Sequence, residues 1–177
     1  MATRLLHDKG VAVFIEAARI MTEHGIKARF QIAGGEVTSN PLAISKEQME
    51  AMVEGKPVEW LGKVDDMPAL LAECAVFVYP SYYREGIPKV LLEAAASGKP
   101  IVTTDHPGCR EAVEDGVNGF LVPVRNALKT AEATQKILED GKLQKAMSKA
   151  SRNRAEEEFN VAKIVTETLD VYKGSRK

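Results

Sequence analysis

Cysteine is scarce in this chain: two in 177 residues, Cys74 and Cys109, far apart and with no Cys-x-x-Cys pair. That excludes a disulfide framework and a structural zinc site, and makes a reducing cytoplasm the expected compartment. No apolar run approaches the roughly 20 residues that a membrane-spanning helix needs. No signal peptide is visible at the start. An excess of one charge is lacking too. Lys plus Arg number 24 against 25 Asp plus Glu, a net charge of -1, so no nucleic-acid partner is expected. Gly-x-Gly-x-x-Gly and Walker A motifs are both missing, which argues against a dinucleotide-binding or P-loop domain. Asp-x-Asp motifs and histidine clusters are missing too.

What is present suits a soluble globular protein, with 45% hydrophobic and 28% charged residues. The length suits one domain. We divide it into a core over 1–125 and a helical segment of the same domain over 126–177.

Helical and strand periods alternate along the core. Val11, Phe14, Ile15, Ala18 and Met21 recur at helical spacing before Gly25. Ala28 to Gly35 and Pro57 to Gly62 read as strands. Ser45 with Gln48 forms a capping box for a helix over about Lys46 to Glu54. Asp66 caps a short helix with Pro68 just inside it. Ala75 to Pro80 and Pro100 to Asp105 are apolar runs that suit strands buried on both faces. A helix is expected from about Pro88 to Ser97, and a short strand over Phe120 to Val122. From Asn126 only helical signals remain, in three segments with a break near Asn160. The fold class is therefore α/β, a Rossmann-like parallel sheet with helices on both faces and C-terminal helices. Ligands of such sheets bind at the carboxyl ends of the strands.

Just past such an end lies "YYREGIPKVLLE", Tyr82 to Glu93. Pro88 suits a helix start, because its missing N–H would have been unpaired there. The amides of Gly86 and Ile87, with the helix dipole, form an anion site. Gly86 allows close approach of a ligand. Glu93 on the helix and Glu85 in the loop can each accept hydrogen bonds from a diol. Earlier in the chain, "RLLHDKG" sets Arg4 and Lys9 before another helix, as cations for a diphosphate. A diphosphate flanked by two diol-binding carboxylates has the shape of a nucleotide-sugar. Taken singly, Glu85 and Glu93 read as solvated carboxylates, and Arg4 and Lys9 as surface charges; their combination favours a site. Tyr82 and Tyr83 suit either stacking on a sugar or shaping the loop. His106 reads as structural, and His7 and His24 as surface positions.

"EGIPKVLLE" resembles the Glu-x7-Glu motif of retaining glycosyltransferases of the GT-B fold, family 4, also called group 1. "RLLHDKG", "WLGKVDDMPALLAECAVFVYPS" and "ASGKPIVTTDHPGCREAVEDGVNGFLVP" resemble its other blocks, in order and at similar spacing, over roughly Arg4 to Arg125. The resemblance implies one half of a GT-B fold, the C-terminal, donor-binding half. It implies that Arg4 and Lys9 neutralise the donor diphosphate, that Glu85 contacts the transferred sugar near Gly86, Ile87 and Pro88, and that Glu93 holds the ribose. It also implies that the backbone around Val64 meets the base, with Gly34–Gly35 lining the same cleft. No bound metal or other cofactor is implied.

The family has a further N-terminal domain that binds the acceptor, so this chain is expected to lack full turnover alone. The family also places a strand before the Arg4 segment, where only Met1, Ala2 and Thr3 stand, so the sheet is expected to be one strand short. The flanking text is closest to transferases of bacterial polysaccharide assembly, which points to a uridine diphosphate sugar, N-acetylhexosamines among them, and to a glycan or lipid-linked acceptor. Lys142, Lys145, Lys149 and Arg152 read as a solvated face. The other reading is peripheral contact with an anionic membrane that carries such an acceptor, at its inner face. Val161, Ile164, Val165 and Leu169 read as packing; in the family a terminal helix often returns to the N-terminal domain, so part of this face is expected to stand exposed here. Two rivals stand beside the transferase: a non-catalytic nucleotide-sugar-binding module and a nucleotide-sugar 2-epimerase-like domain.

Overall fold

The computed structural model describes residues 1–37 and 40–174. The last three residues of the expected helical segment lie outside the described residues. Among the described residues five strands form, Phe30–Ala33 (β1), Val58–Gly62 (β2), Phe77–Tyr79 (β3), Ile101–Thr104 (β4) and Gly119–Val122 (β5). Helices are Val11–Glu23 (α1), Lys46–Val53 (α2), Met67–Glu73 (α3), Lys89–Ala96 (α4), Ala127–Glu139 (α5), Gly141–Glu157 (α6) and Val161–Gly174 (α7). All strand pairs are parallel, with β1 beside β2 and β3-β4-β5 in that order.

Side chains divide between the two faces with the strand period of two. Phe77, Tyr79 and Ile101 join Leu71 of α3 and Leu91, Ala94 and Ala95 of α4. Val78 and Val102 join Phe14 and Ile15 of α1 and Ile137 of α5. Phe77, Leu91 and Ile101 are at most 2% exposed, and each contributes about 1.5–3 kcal/mol by burial. The position of α4 is therefore fixed by the core rather than by any single polar contact.

The caps form as their sequences require. The Ser45 hydroxyl accepts from the Gln48 amide while Gln48 accepts from the Ser45 amide. Asp66 accepts from the Ala69 amide at 3.0 Å. Two expectations are corrected. The helix expected from Pro88 begins at Lys89, because Pro88 is extended (φ -60°, ψ 125°) and serves as its N-cap. The apolar series on α7 is not buried within the described residues, so the packing reading is corrected and the expected exposure of this face is met: Val161 is 74% exposed and Ile164, Val165 and Leu169 are about half exposed.

Between β1 and β3 the sheet is interrupted. Only Met1–Thr3 run there, with Ala2 bridging Ala33 in parallel and the Thr3 amide donating to the Ala33 carbonyl at 2.9 Å. Beside this stub a groove of about 320 Å³ is walled by Phe30, Gln31, Phe77 and Val78. The Met1 amine donates to the Gln31 carbonyl, and burial pushes its pKa down to about 6.

Candidate functional site

The carboxyl ends of the Met1–Thr3 stub, β1, β2 and β3 surround a cleft of about 530 Å³, a volume typical of small-molecule sites. Arg4, Lys9, Gly34, Gly35, Val64, Glu85, Pro88 and Glu93 line it. Gly86 and Ile87 do not; they stand exposed in the loop before α4. Because the helix starts one residue later than expected, its first amides belong to Lys89 and Val90, both of which line the cleft. Those amides have no carbonyl one turn behind them. Of the residues expected to form an anion site, Pro88 stands in the cleft wall and Gly86 and Ile87 do not, while Lys89 and Val90 do.

Lys9 and Glu85 lie 76 residues apart in sequence and form an ion pair. Lys9 is the only charged residue among the buried ones in the described residues, at 2% exposure; the Glu85 side chain is 28% exposed. The pair holds because the loop after β3 is tied to the segment carrying Lys9. The Tyr82 amide donates to the Asp8 carbonyl at 2.9 Å, and the Tyr82 hydroxyl to the His7 carbonyl at 3.0 Å. From β4, the Thr103 hydroxyl donates to the Tyr79 carbonyl at 2.7 Å and Thr104 donates to the Ser81 carbonyl. Gly10, in the left-handed region at φ 80°, packs so closely on the Pro80 carbonyl that no side chain fits.

Aromatic rings surround the lysine. Its ammonium stands 4.3 Å from the Tyr83 ring centre and 5.9 Å from that of Tyr79. The Tyr79 hydroxyl lies 3.5 Å from the Glu85 carboxylate. Burial, and then the charge on Glu85, push the Tyr79 phenol upward, so it stays protonated. Burial likewise raises the thiol of Cys109, behind the Ser81 carbonyl.

Glu93, one turn into α4, pairs with Lys89 at 3.0 Å. Across the cleft, the Gly34 amide donates to the Gly62 carbonyl at 2.7 Å, and the Trp60 indole donates to the Gly34 carbonyl at 2.9 Å. The Gly34–Gly35 turn and Val64 are thereby held side by side. A Cβ on Gly34 would meet the Thr3 carbonyl, so the turn can close only with glycine.

Several residues of the site escaped the sequence reading. Tyr79, Thr103 and Thr104 look like ordinary strand residues. Gly108 sits with φ +90°, and a Cβ there would lie 2.6 Å from the Glu85 carbonyl and 2.5 Å from that of Gly86. The Pro107–Gly108 pair signals a turn, but nothing in it names the loop it supports.

Known proteins bear on this cleft. A family profile described as Glycosyl transferases group 1 matches residues 1–154. N,N'-diacetylbacillosaminyl-diphospho-undecaprenol alpha-1,3-N-acetylgalactosaminyltransferase of Campylobacter jejuni is 38% identical over 84% of this chain and 37% of its own length. The crystal structure of HepE from Anabaena in complex with UDP and glucose superposes with a TM-score of 0.82 at 23% identity, over 97% of this chain and 47% of that one. The C-terminal domain of a group 1 glycosyl transferase, LpcC of Francisella tularensis, does so with 0.77 at 23% identity, over 91% of this chain and 84% of that one. The chain spans less than half the length of the curated relatives it matches. With parallel strands, helices on both faces and a cleft at the strand ends, its fold is that of a GT-B glycosyltransferase domain, and the chain belongs to the group 1 glycosyltransferases.

Proposed function

We propose that this chain is the donor-binding part of a retaining glycosyltransferase. In this reading it binds a uridine diphosphate sugar, an N-acetylhexosamine donor among the candidates. The sugar passes to a glycan or lipid-linked acceptor in polysaccharide assembly, with an N-terminal domain supplying the acceptor site. The observation that carries this is the Lys9–Glu85 pair in a cleft that also holds Arg4, the first amides of α4 and Glu93. Cations and helix amides meet a diphosphate; Glu93 accepts from the ribose; Glu85 accepts from the sugar. The base lies between the Gly34–Gly35 turn and Val64. The Campylobacter relative, named for a diphospho-undecaprenol acceptor, supports the lipid-linked class. The Anabaena complex with UDP and glucose supports the uridine donor, and the matching lone domain of LpcC supports the donor-half reading.

Glycosyl transfer passes through an oxocarbenium-like transition state. Negative charge grows on the departing phosphate as the glycosidic bond stretches, so Arg4 and Lys9 are worth most at that moment. No resident metal is assigned to the cleft. Calorimetric titration with UDP and GDP tests the reading. UDP binds, Glu93→Ala weakens it, and EDTA leaves the affinity unchanged. A folded chain that binds neither nucleotide refutes the reading. Joined to an acceptor-binding domain, the chain transfers sugar with retention; a product of inverted configuration rejects that part.

A further inference from the structure

Two cations of the cleft share one aromatic ring. The Lys9 ammonium lies 4.3 Å from the ring centre of Tyr83, and the Arg4 guanidinium carbon lies 5.9 Å from the same centre. Glu85 pairs with Lys9; no carboxylate is recorded against Arg4 among the ion pairs of the described residues. Two like charges at one ring repel each other. The negative faces of the ring offset this without supplying a competing hydrogen-bond acceptor. The cations stay together, and the Arg4 N–H groups, with those of Lys9 not given to Glu85, face an anion.

The ring itself is held in place. The Tyr83 amide donates to the Ser81 hydroxyl at 3.2 Å, and the adjoining Tyr82 is tied through its amide and hydroxyl to the segment that carries Lys9. We infer that Tyr83 is a positioning residue of the diphosphate clamp, a platform that gathers Arg4 and Lys9 and does not itself touch the donor. This rests on the reading of the cleft as a donor site.

The test uses the 177-residue chain and its Tyr83→Phe and Tyr83→Leu variants, titrated with UDP, UDP-glucose and uridine and followed by NMR. Tyr83→Phe keeps the ring and binds UDP within about twofold of wild type. Tyr83→Leu weakens UDP and UDP-glucose alike by about tenfold, the scale of a partly desolvated cation–π contact, and leaves uridine unchanged. In the ligand-free protein, the methylene protons beside the Lys9 nitrogen are shifted upfield by the ring in wild type and Tyr83→Phe, and not in Tyr83→Leu. Tyr83→Leu that binds UDP as wild type does overturns the inference. Loss for UDP-glucose but not UDP also overturns it, because the ring would then be stacking on the sugar. So does equal loss for uridine, which marks a general collapse of the cleft. Failure of the wild type to bind UDP is a different result: it overturns the donor-site reading itself, and the inference with it.

Discussion

Gly108→Ala probes how the loop carrying Glu85 is supported. Gly108 adopts φ +90°, where an L-residue costs about 1–2 kcal/mol. The new Cβ would lie 2.5 Å from the Gly86 carbonyl oxygen and 2.6 Å from that of Glu85. Both obstacles are backbone, so no side-chain rotation relieves them. Overpacking of this kind costs about 1–3 kcal/mol. Together the two effects predict a loss of roughly 2–5 kcal/mol, a fall in melting temperature of roughly 5–15 °C for a domain this size. Relief requires the Glu85–Gly86 backbone to move by several tenths of an ångström. Lys9 leans on Glu85, so UDP affinity falls as well. Gly116→Ala is the control: its φ is +77°, but nothing lies within 4 Å of its Cβ position. It shows only the conformational loss, about 1–2 kcal/mol, with UDP binding intact. Urea denaturation and calorimetry on both variants decide the matter. A Gly108→Ala protein that matches Gly116→Ala in stability and wild type in UDP affinity refutes the reasoning.

Two further predictions concern charge. Lys9→Met leaves Glu85 without its cation and destabilises the fold by about 1–3 kcal/mol, less than a fully buried pair because Glu85 is part exposed. The double variant Lys9→Met/Glu85→Gln recovers at least about 1 kcal/mol relative to the sum of the single losses, measured as a urea cycle; simple additivity would show that the pair is not coupled. The Met1 amine has a folded pKa of about 6 against 8.0 when free, so between those values the unfolded chain holds the extra proton. Stability therefore rises by about 2 kcal/mol from pH 6 to pH 8 and is lost as the pH falls. An N-acetylated chain loses that part of the slope; an identical slope with and without the acetyl group would show that the amine is not the cause.

The arrangement of elements was legible because it rests on local signals. Strand and helix periods, the Ser45–Gln48 capping box and the Asp66 cap each act within a few residues. The break between the last two helices at Asn160 is of the same kind. The membership of the cleft was legible where residue types stand in a recognisable order, as with Arg4, Lys9, Glu85 and Glu93, all of which line it. Two boundaries were read less well. Pro88 can begin a helix or stand extended just before one, and its own residue type does not distinguish the two. The apolar face of α7 has the periodicity of a packed helix, and periodicity does not say what covers it.

The sequence by itself determined a parallel α/β domain with a helix start at the carboxyl end of a strand and two carboxylates eight residues apart, because backbone propensity and short spacings decide such features. Only the tertiary structure decided that Lys9 meets Glu85 across 76 residues, that Tyr83 lies against both Lys9 and Arg4, and that Gly108 supports the loop between them. Those contacts depend on how β3 and β4 carry their loops to one edge of the sheet. That placement rests on the summed burial of Phe77, Leu91 and Ile101 beneath the loops, and the contacts of Tyr82 and Gly108 then hold the loops in register.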